Sequence, residues 1–166
     1  MSTATVADPQ TLFDRWFNSA IAQLEKLPHG DGGTGGMMIV LPLYERYIYI
    51  QRARGSAGLG FYDVMAADLQ LASPADAEAF WTTFRHGFCH TGMPFERDRG
   101  GNALPKVSFT AHFTRKPEFH TLPGGQRIVC LDPWKFIHYV MDKYRNDPSL
   151  LTQHPDAPLL AIHVVT

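Results

Sequence analysis

The chain has 166 residues, and this length predicts one compact domain covering residues 1–166. Hydrophobic residues make up 45% of the chain and charged residues 19%, which excludes disordered, collagen-like and coiled-coil classes. The formal net charge of −1 excludes a basic field over the whole surface, so a nucleic-acid partner would have to meet a local patch.

The lengths of the apolar runs and the number of cysteines exclude further classes of protein. The longest apolar run, residues 37–44, has eight residues and contains Pro42, whereas a bilayer span needs roughly 20. The N-terminal segment lacks the basic and apolar regions of a secretory signal. Only Cys89 and Cys130 occur, which is too few for a disulfide framework. We therefore expect a cytoplasmic protein with no membrane partner.

The first predicted element is a helix over roughly residues 9–27. Asp8 followed by Pro9 is a helix start, and Pro28 ends the pattern. Its apolar residues recur at spacings of three and four: Leu12, Phe13, Trp16, Phe17, Ala20, Ile21, Leu24 and Leu27. The glycine-rich HGDGGTGG segment that follows predicts a flexible connector. It is not a phosphate-binding loop, because no strand precedes it and no Lys-Ser/Thr pair follows it.

Two further helices are predicted before the helix that carries the candidate site residues. Residues 36 to about 54 predict a buried helix kinked at Pro42, because a run of about eighteen residues is longer than an ordinary strand. The sequence FYDVMAADLQL predicts a short helix. Ser73 followed by Pro74 combines an N-cap with a proline at the first helical position, and predicts a helix over about 74–90.

The helix over 74–90 has a clear apolar side. With Phe84 at zero and about 100° per residue, Phe80 and Phe88 fall at about −40° and +40°. His86 and His90 fall at about 200° and 240° on the same scale. We therefore expect the phenylalanines to face the core and both histidines to face away from it.

A β-hairpin and a final helix complete the predicted fold. Residues 106–115 alternate between apolar and polar side chains, and 127–131 is their expected antiparallel partner. Asp132 followed by Pro133 starts a last amphipathic helix with apolar residues Trp134, Phe136, Ile137, Val140, Met141 and Tyr144. A loosely packed tail follows from about 148. The sequence thus predicts a mainly α fold: a bundle of about four helices with a β-hairpin inserted before the last helix.

Four residues with reactive or charged side chains lie close together at the end of the third main helix: Arg85, His86, Cys89 and His90. On one interpretation they are ordinary surface residues. On a second, the two histidines begin a zinc site, which His112, His120, His138 or His154 would have to complete. On a third, a histidine activates the Cys89 thiol as a nucleophile, although the C-terminal end of a helix disfavours an anion.

A fourth interpretation comes from a family resemblance. The string Arg85, His86 and His90 within FRHGFCHTGMP resembles the R-x4-H motif of the HEPN superfamily, small α-helical proteins prominent among toxin, defence and RNA-processing nucleases. LPLYERYI resembles the preceding helix of that family, and the helix after LDP is similar to its last helix. The resemblance covers residues 10 to 145 and implies a HEPN-like bundle. Thr91-Gly92 stands where antitoxin-paired members often carry a tyrosine.

The resemblance implies a metal-independent endoribonuclease that acts as a homodimer on RNA, without a cofactor. Its catalytic residues would be Arg85, His90 and His86, and an antitoxin protein would be a partner in toxin-antitoxin members. The alternative is a non-catalytic HEPN-like module that binds a nucleotide, RNA or a protein. The loop residues Arg97 and Arg99 are candidates for contact with RNA phosphates, although acidic residues alternate with them.

The chemistry of these residue types suits RNA cleavage. A histidine supplies a base near neutral pH, and a guanidinium binds phosphate oxygens. One helix alone places Arg85 and His90 about 140° apart around its axis. Two copies related by a two-fold axis would therefore be needed to surround one phosphate.

Overall fold

The computed structural model describes residues 8–55, 58–109 and 114–153. Within them the chain is mainly helical, with five helices and one three-stranded sheet. Helix α1 comprises Pro9–Phe13, Asp14–Asn18 with π geometry and Ser19–Leu24; α2 is Gly32–Gly55; α3 is Phe61–Leu69. Helix α4 comprises Pro74–Trp81, the π-helical Thr82–His86 and Gly87–Thr91, and α5 is Pro133–Asn146. The predicted helices are confirmed.

Three helices begin at the capping residues that the sequence predicts. Asp8, Ser73 and Asp132 each accept a hydrogen bond from the backbone N–H three positions later, at 3.1, 3.2 and 3.1 Å. A proline occupies one of the first positions of each of these helices. These caps use N–H groups that the helix itself leaves unpaired, so the helix starts are determined locally.

The prediction of a flexible glycine connector is wrong, because helix α2 begins inside the glycine-rich segment. Gly32, Gly33 and Gly36 are helical and buried. A Cβ atom on Gly32 would lie 2.1 Å from the carbonyl oxygen of Leu24, and one on Gly36 would lie 2.5 Å from Cδ1 of Ile137. The glycines therefore allow α2 to start in close contact with α1 and α5, and this packing outweighs their low helix propensity.

One hydrophobic core joins all five helices and the sheet. Its largest fully buried side chains are aromatic: Phe13, Tyr44, Phe80, Phe84, Phe88, Phe136 and Tyr144. The ring centroids of Tyr44 and Phe136 are 5.6 Å apart in an edge arrangement, so α2 and α5 meet directly. No helix within the described ranges has both the length and the apolar character needed to cross a bilayer.

Asp68 of helix α3 ties three helices together. Its carboxylate accepts hydrogen bonds from the hydroxyls of Tyr44, Tyr47 and Tyr139 at 2.7, 3.3 and 2.8 Å. It also accepts a hydrogen bond from Nζ of Lys143 at 2.8 Å. The donors belong to α2 and α5, so this polar cluster holds α3 against both of them.

The observed pairing of the strands differs from the predicted pairing. Strands β1 (Lys106–Phe109) and β3 (Arg127–Leu131) pair in parallel, and β2 (Glu118–Thr121) pairs antiparallel with β3, so the order is β1-β3-β2. Val129 of β3 lies opposite Val107 on one side and Phe119 on the other. The antiparallel partner of β3 is therefore β2, which the sequence analysis missed. Residues 110–113 of the longer predicted strand lie outside the described residues, and Thr114 is not in a strand.

The chain after α5 returns to the bundle. Pro148–Leu151 forms a 3₁₀ turn, and Leu150 is buried. Arg46 of α2 donates hydrogen bonds to the carbonyl oxygens of Leu150 and Leu151 at 2.8 and 2.7 Å. The rest of the predicted tail, residues 154–166, lies outside the described residues.

Candidate active site on helix α4

Helix α4 separates the predicted site residues from its core-facing side. Phe80, Phe84 and Phe88 are buried, as the predicted apolar side requires. His86 is half-buried and His90 is exposed. Their ring centroids are 6.0 Å apart, and the ring planes differ by 11°. The prediction that both histidines avoid the phenylalanine side is confirmed.

Two local features shape this end of helix α4. The turn Thr82–His86 has π geometry, a rare form that recurs at functional sites. A Cβ atom on Gly87 would lie 2.6 Å from the backbone nitrogen of Phe95, so the returning chain passes directly against the helix. The Phe95 N–H donates a hydrogen bond to the carbonyl oxygen of Thr83 at 2.9 Å. The helix end that carries the histidines is therefore held in place by contact with residues 93–95.

Arg85 forms an ion pair with Glu45 of helix α2. One carboxylate oxygen, Oε2, lies 3.2 Å from Nε and 3.1 Å from Nη2 of Arg85. The two side chains are 24% and 30% exposed, so the pair is open to solvent on one side. Sequence analysis did not identify Glu45, because it precedes Arg85 by 40 positions and only the packing of α2 against α4 brings them together.

The pKa of the His86 imidazole lies below its ordinary value. Burial is the largest cause, and the positive charges of Arg85, His90 and Arg99 add to it, while Glu45 acts in the opposite direction. A lowered pKa favours the neutral imidazole near pH 7, which accepts a proton or a hydrogen bond through its free nitrogen. The charge environment of His86 is thus compatible with acid–base chemistry.

The two loop arginines differ in their relation to this site. Arg99 is exposed and contributes to the positive surroundings of His86. Arg97 is also exposed and donates a hydrogen bond to the carbonyl oxygen of Gly101 at 2.8 Å. The same loop is closed by Asn102, which donates two hydrogen bonds to Asp98. Arg85, His86, His90 and Arg99 are therefore close enough to interact electrostatically, and Arg97 contributes to the structure of its loop.

The histidines proposed to complete a metal site are dispersed. Nε2 of His138 lies 2.7 Å from Glu25, and Nε2 of His120 lies 3.6 Å from Glu118. Three other candidates lie outside the described part of the chain: the side chain of Cys89, and residues His112 and His154. Across the residues that the structure does describe, no group of three or more His, Cys, Asp or Glu side chains is arranged to hold a metal ion.

A separate cavity of about 470 Å³ opens where helices α2 and α5 begin. Its lining includes Asp31, Met37, Phe88, Phe109, Asp132 and Trp134. Arg85, His86 and His90 are not among its lining residues. The cavity was not predictable from the sequence, because its lining comes from segments far apart in the chain.

No protein-family model matches the chain, and no curated protein or solved structure matches it either. The candidate site therefore has to be interpreted from its own residues. These are a guanidinium, two parallel imidazoles and a further arginine beside them, held on a helix whose other side forms the core.

Proposed function

We propose that the protein is a metal-independent endoribonuclease of the HEPN type that acts as a dimer on RNA. The observation that carries the proposal is the placement of Arg85, His86 and His90 on helix α4. His86 and His90 lie away from the phenylalanine side and leave both imidazoles accessible to a substrate, and Arg85 lies on the flank of the helix beside Glu45. Arg99 adds positive charge to the same surface, which suits a phosphate chain.

In the proposed reaction the RNA attacks its own backbone. His90 takes the proton of a 2′-hydroxyl, the 2′-oxygen forms a bond to the adjacent phosphorus, and the bond from phosphorus to the 5′-oxygen breaks. The leaving 5′-oxygen receives a proton from the protonated His90 of the partner subunit. Arg85 binds the nonbridging phosphate oxygens, and the neutral His86 orients the substrate. The products end in a 2′,3′-cyclic phosphate and a 5′-hydroxyl.

The proposal includes dimerisation because one copy does not surround a phosphate. Arg85 and His90 are about 140° apart around an ideal helix axis. A two-fold axis beside α4 would bring two arginines and two histidines into one cleft, so that one histidine acts as the base and the other as the acid.

The test is cleavage of a mixed RNA by Arg85→Ala and His90→Ala proteins. We expect each variant to lose at least about 100-fold in rate, because each lacks a group that acts on the phosphate or the proton. Arg15→Ala removes an exposed arginine of helix α1 and is the matched control, with expected full activity. Cleavage of DNA, or full activity of His90→Ala, would contradict the mechanism.

A second candidate function is a non-catalytic module that binds RNA, a nucleotide or a protein. The observation that favours it is the ion pair of Arg85 with Glu45, which satisfies the guanidinium within the chain. This candidate predicts that the purified dimer binds a ligand and cleaves no RNA under any condition tested. The same assay therefore separates the two functions.

A further inference from the structure

Arg85, the proposed phosphate ligand, is already paired with an anion, the carboxylate of Glu45. Oε2 of Glu45 contacts both Nε and Nη2, so the carboxylate occupies one whole edge of the guanidinium. That edge is one of those on which a phosphate would bind through two parallel hydrogen bonds. A phosphate that approaches the pair meets a positive and a negative charge of equal size.

Glu45 is held in this position by the helix that carries it. The preceding residue, Tyr44, is fully buried and hydrogen-bonded to Asp68. The following residue, Arg46, is bound to the carbonyl oxygens of residues 150 and 151. The backbone of Glu45 is thus anchored on both sides, and only its side chain is able to move away from Arg85.

We propose that Glu45 is a resident anion that an RNA phosphate displaces from Arg85, so that Glu45 limits the affinity of the site for RNA. The inference rests on the proposed function in that it takes Arg85 as the phosphate ligand. A phosphate that binds the occupied edge has to break the ion pair. One that binds another edge places two anions close to one cation. Both routes weaken binding relative to a free Arg85.

The charge of Glu45 is removed with little change of shape in Glu45→Gln. Because a partly exposed ion pair contributes little, we expect this variant to bind RNA about three- to tenfold more tightly. Since the freed guanidinium neutralises one more phosphate, the slope of log K against log salt concentration should steepen by about 0.7. Glu45→Asp keeps the charge on a shorter side chain and should remain closer to the unaltered protein.

The experiment is a binding titration with a fluorescent 2′-O-methyl RNA oligonucleotide, which lacks the attacking hydroxyl and is not cleaved. Four proteins are compared between about 50 and 200 mM salt: the unaltered chain, Glu45→Gln, Arg85→Ala and the double variant. We expect Arg85→Ala to cost more affinity in the Glu45→Gln background than in the unaltered chain.

Two results would overturn the inference. One is unchanged or weaker binding by Glu45→Gln, including loss of binding, and the other is a gain that is equally large in the Arg85→Ala background. In the second case the effect of Glu45 would not pass through Arg85. Binding is measured without cleavage, so a protein that cleaves no RNA contradicts the proposed ribonuclease and leaves this comparison intact.

Discussion

Asp68 is the residue on which the polar part of the interior depends. Its side chain is 15% exposed and that of its partner Lys143 is 14% exposed. The Lys143 ammonium also lies 4.1 and 4.3 Å from the ring centroids of Tyr47 and Tyr139. Burial lowers the pKa of Lys143, although Asp68 opposes that shift. Burial and the Asp68 charge raise the pKa of Tyr47 to about 12. The cluster is therefore stable only as a complete set.

Asp68→Ala should destabilise the protein by about 3–5 kcal/mol, because it leaves a mostly buried ammonium without its counter-ion. The measurement is urea unfolding followed by circular dichroism. Asp142→Ala is the matched control, since that carboxylate pairs with Arg115 and Arg145 at the surface. Surface pairs of this kind are worth about 0–1 kcal/mol. Equal losses in the two variants would show that the Asp68 cluster is not a main source of stability.

His86 should titrate below its ordinary pKa in the folded protein, and NMR of the imidazole protons measures this directly. Between its folded pKa and its ordinary value, the unfolded chain binds more protons than the folded one. Stability from this residue therefore rises with pH across that interval, and it is lost as the pH falls through the folded pKa. Arg85→Ala should raise the His86 pKa, because it removes a neighbouring positive charge. A His86 pKa at or above its ordinary value would contradict this account.

The sequence allowed part of the candidate site to be predicted at this scale. Arg85, His86 and His90 are close together in the chain, and helical spacing was enough to place both histidines away from the phenylalanines. Glu45 was not predictable, because its contact with Arg85 depends on how α2 packs against α4. The position of Arg99 near His86 was missed for the same reason, since a loop path is set by tertiary contacts.

At the scale of the elements, local sequence patterns were sufficient to predict the helices but not the pairing of the strands in the sheet. Asp8, Ser73 and Asp132 cap through their own neighbours, so residue type and spacing predict them. Strand β2 has only Phe119 as a large apolar residue and pairs with a strand that comes later. Strand β2 forms because it makes hydrogen bonds with β3. An alternation of apolar and polar residues in the sequence does not reveal such hydrogen bonds.

The packing at the start of helix α2 predicts different effects of alanine at two of its glycines, Gly32 and Gly35. Gly32→Ala should destabilise the protein by more than about 2 kcal/mol, because its Cβ would lie 2.1 Å from the backbone oxygen of Leu24. In Gly35→Ala, the new Cβ would meet Leu24 methyl groups at 3.4 and 3.5 Å, which is ordinary contact. Alanine should therefore stabilise that position by up to about 1 kcal/mol.

Thermal unfolding of both glycine variants measures the difference. Opposite shifts of the melting temperature would support a helix start that is packed against α1. A loss of similar size in both would indicate that the segment needs glycine flexibility, as the sequence analysis expected.

At the scale of the whole molecule, the proposed dimer predicts that an inactive variant suppresses the unaltered protein. A mixture of unaltered and His90→Ala proteins forms mixed dimers whose shared cleft keeps only one His90, so that either the base or the acid is missing. We expect an excess of His90→Ala to lower the RNA cleavage by a fixed amount of the unaltered protein. Sedimentation shows whether dimers exist at the assay concentration, and an excess of Arg15→Ala is the control. Dimers that exchange subunits without loss of cleavage would contradict a shared cleft.

The strand order has a consequence for how the chain is assembled. The central strand β3 is the last of the three to be synthesised, so β1 has no partner in the sheet when it leaves the ribosome. Strand β2 is separated from its partner β3 by only a short hairpin. Strand β1 can pair with β3 only after about 20 further residues have been synthesised. Helix α5 begins two residues after β3 ends. The sheet and the α2–α5 contact therefore become available within one short stretch of synthesis. Until then, the apolar side chains of α1 to α4 that pack against α5 and β3 have no partner.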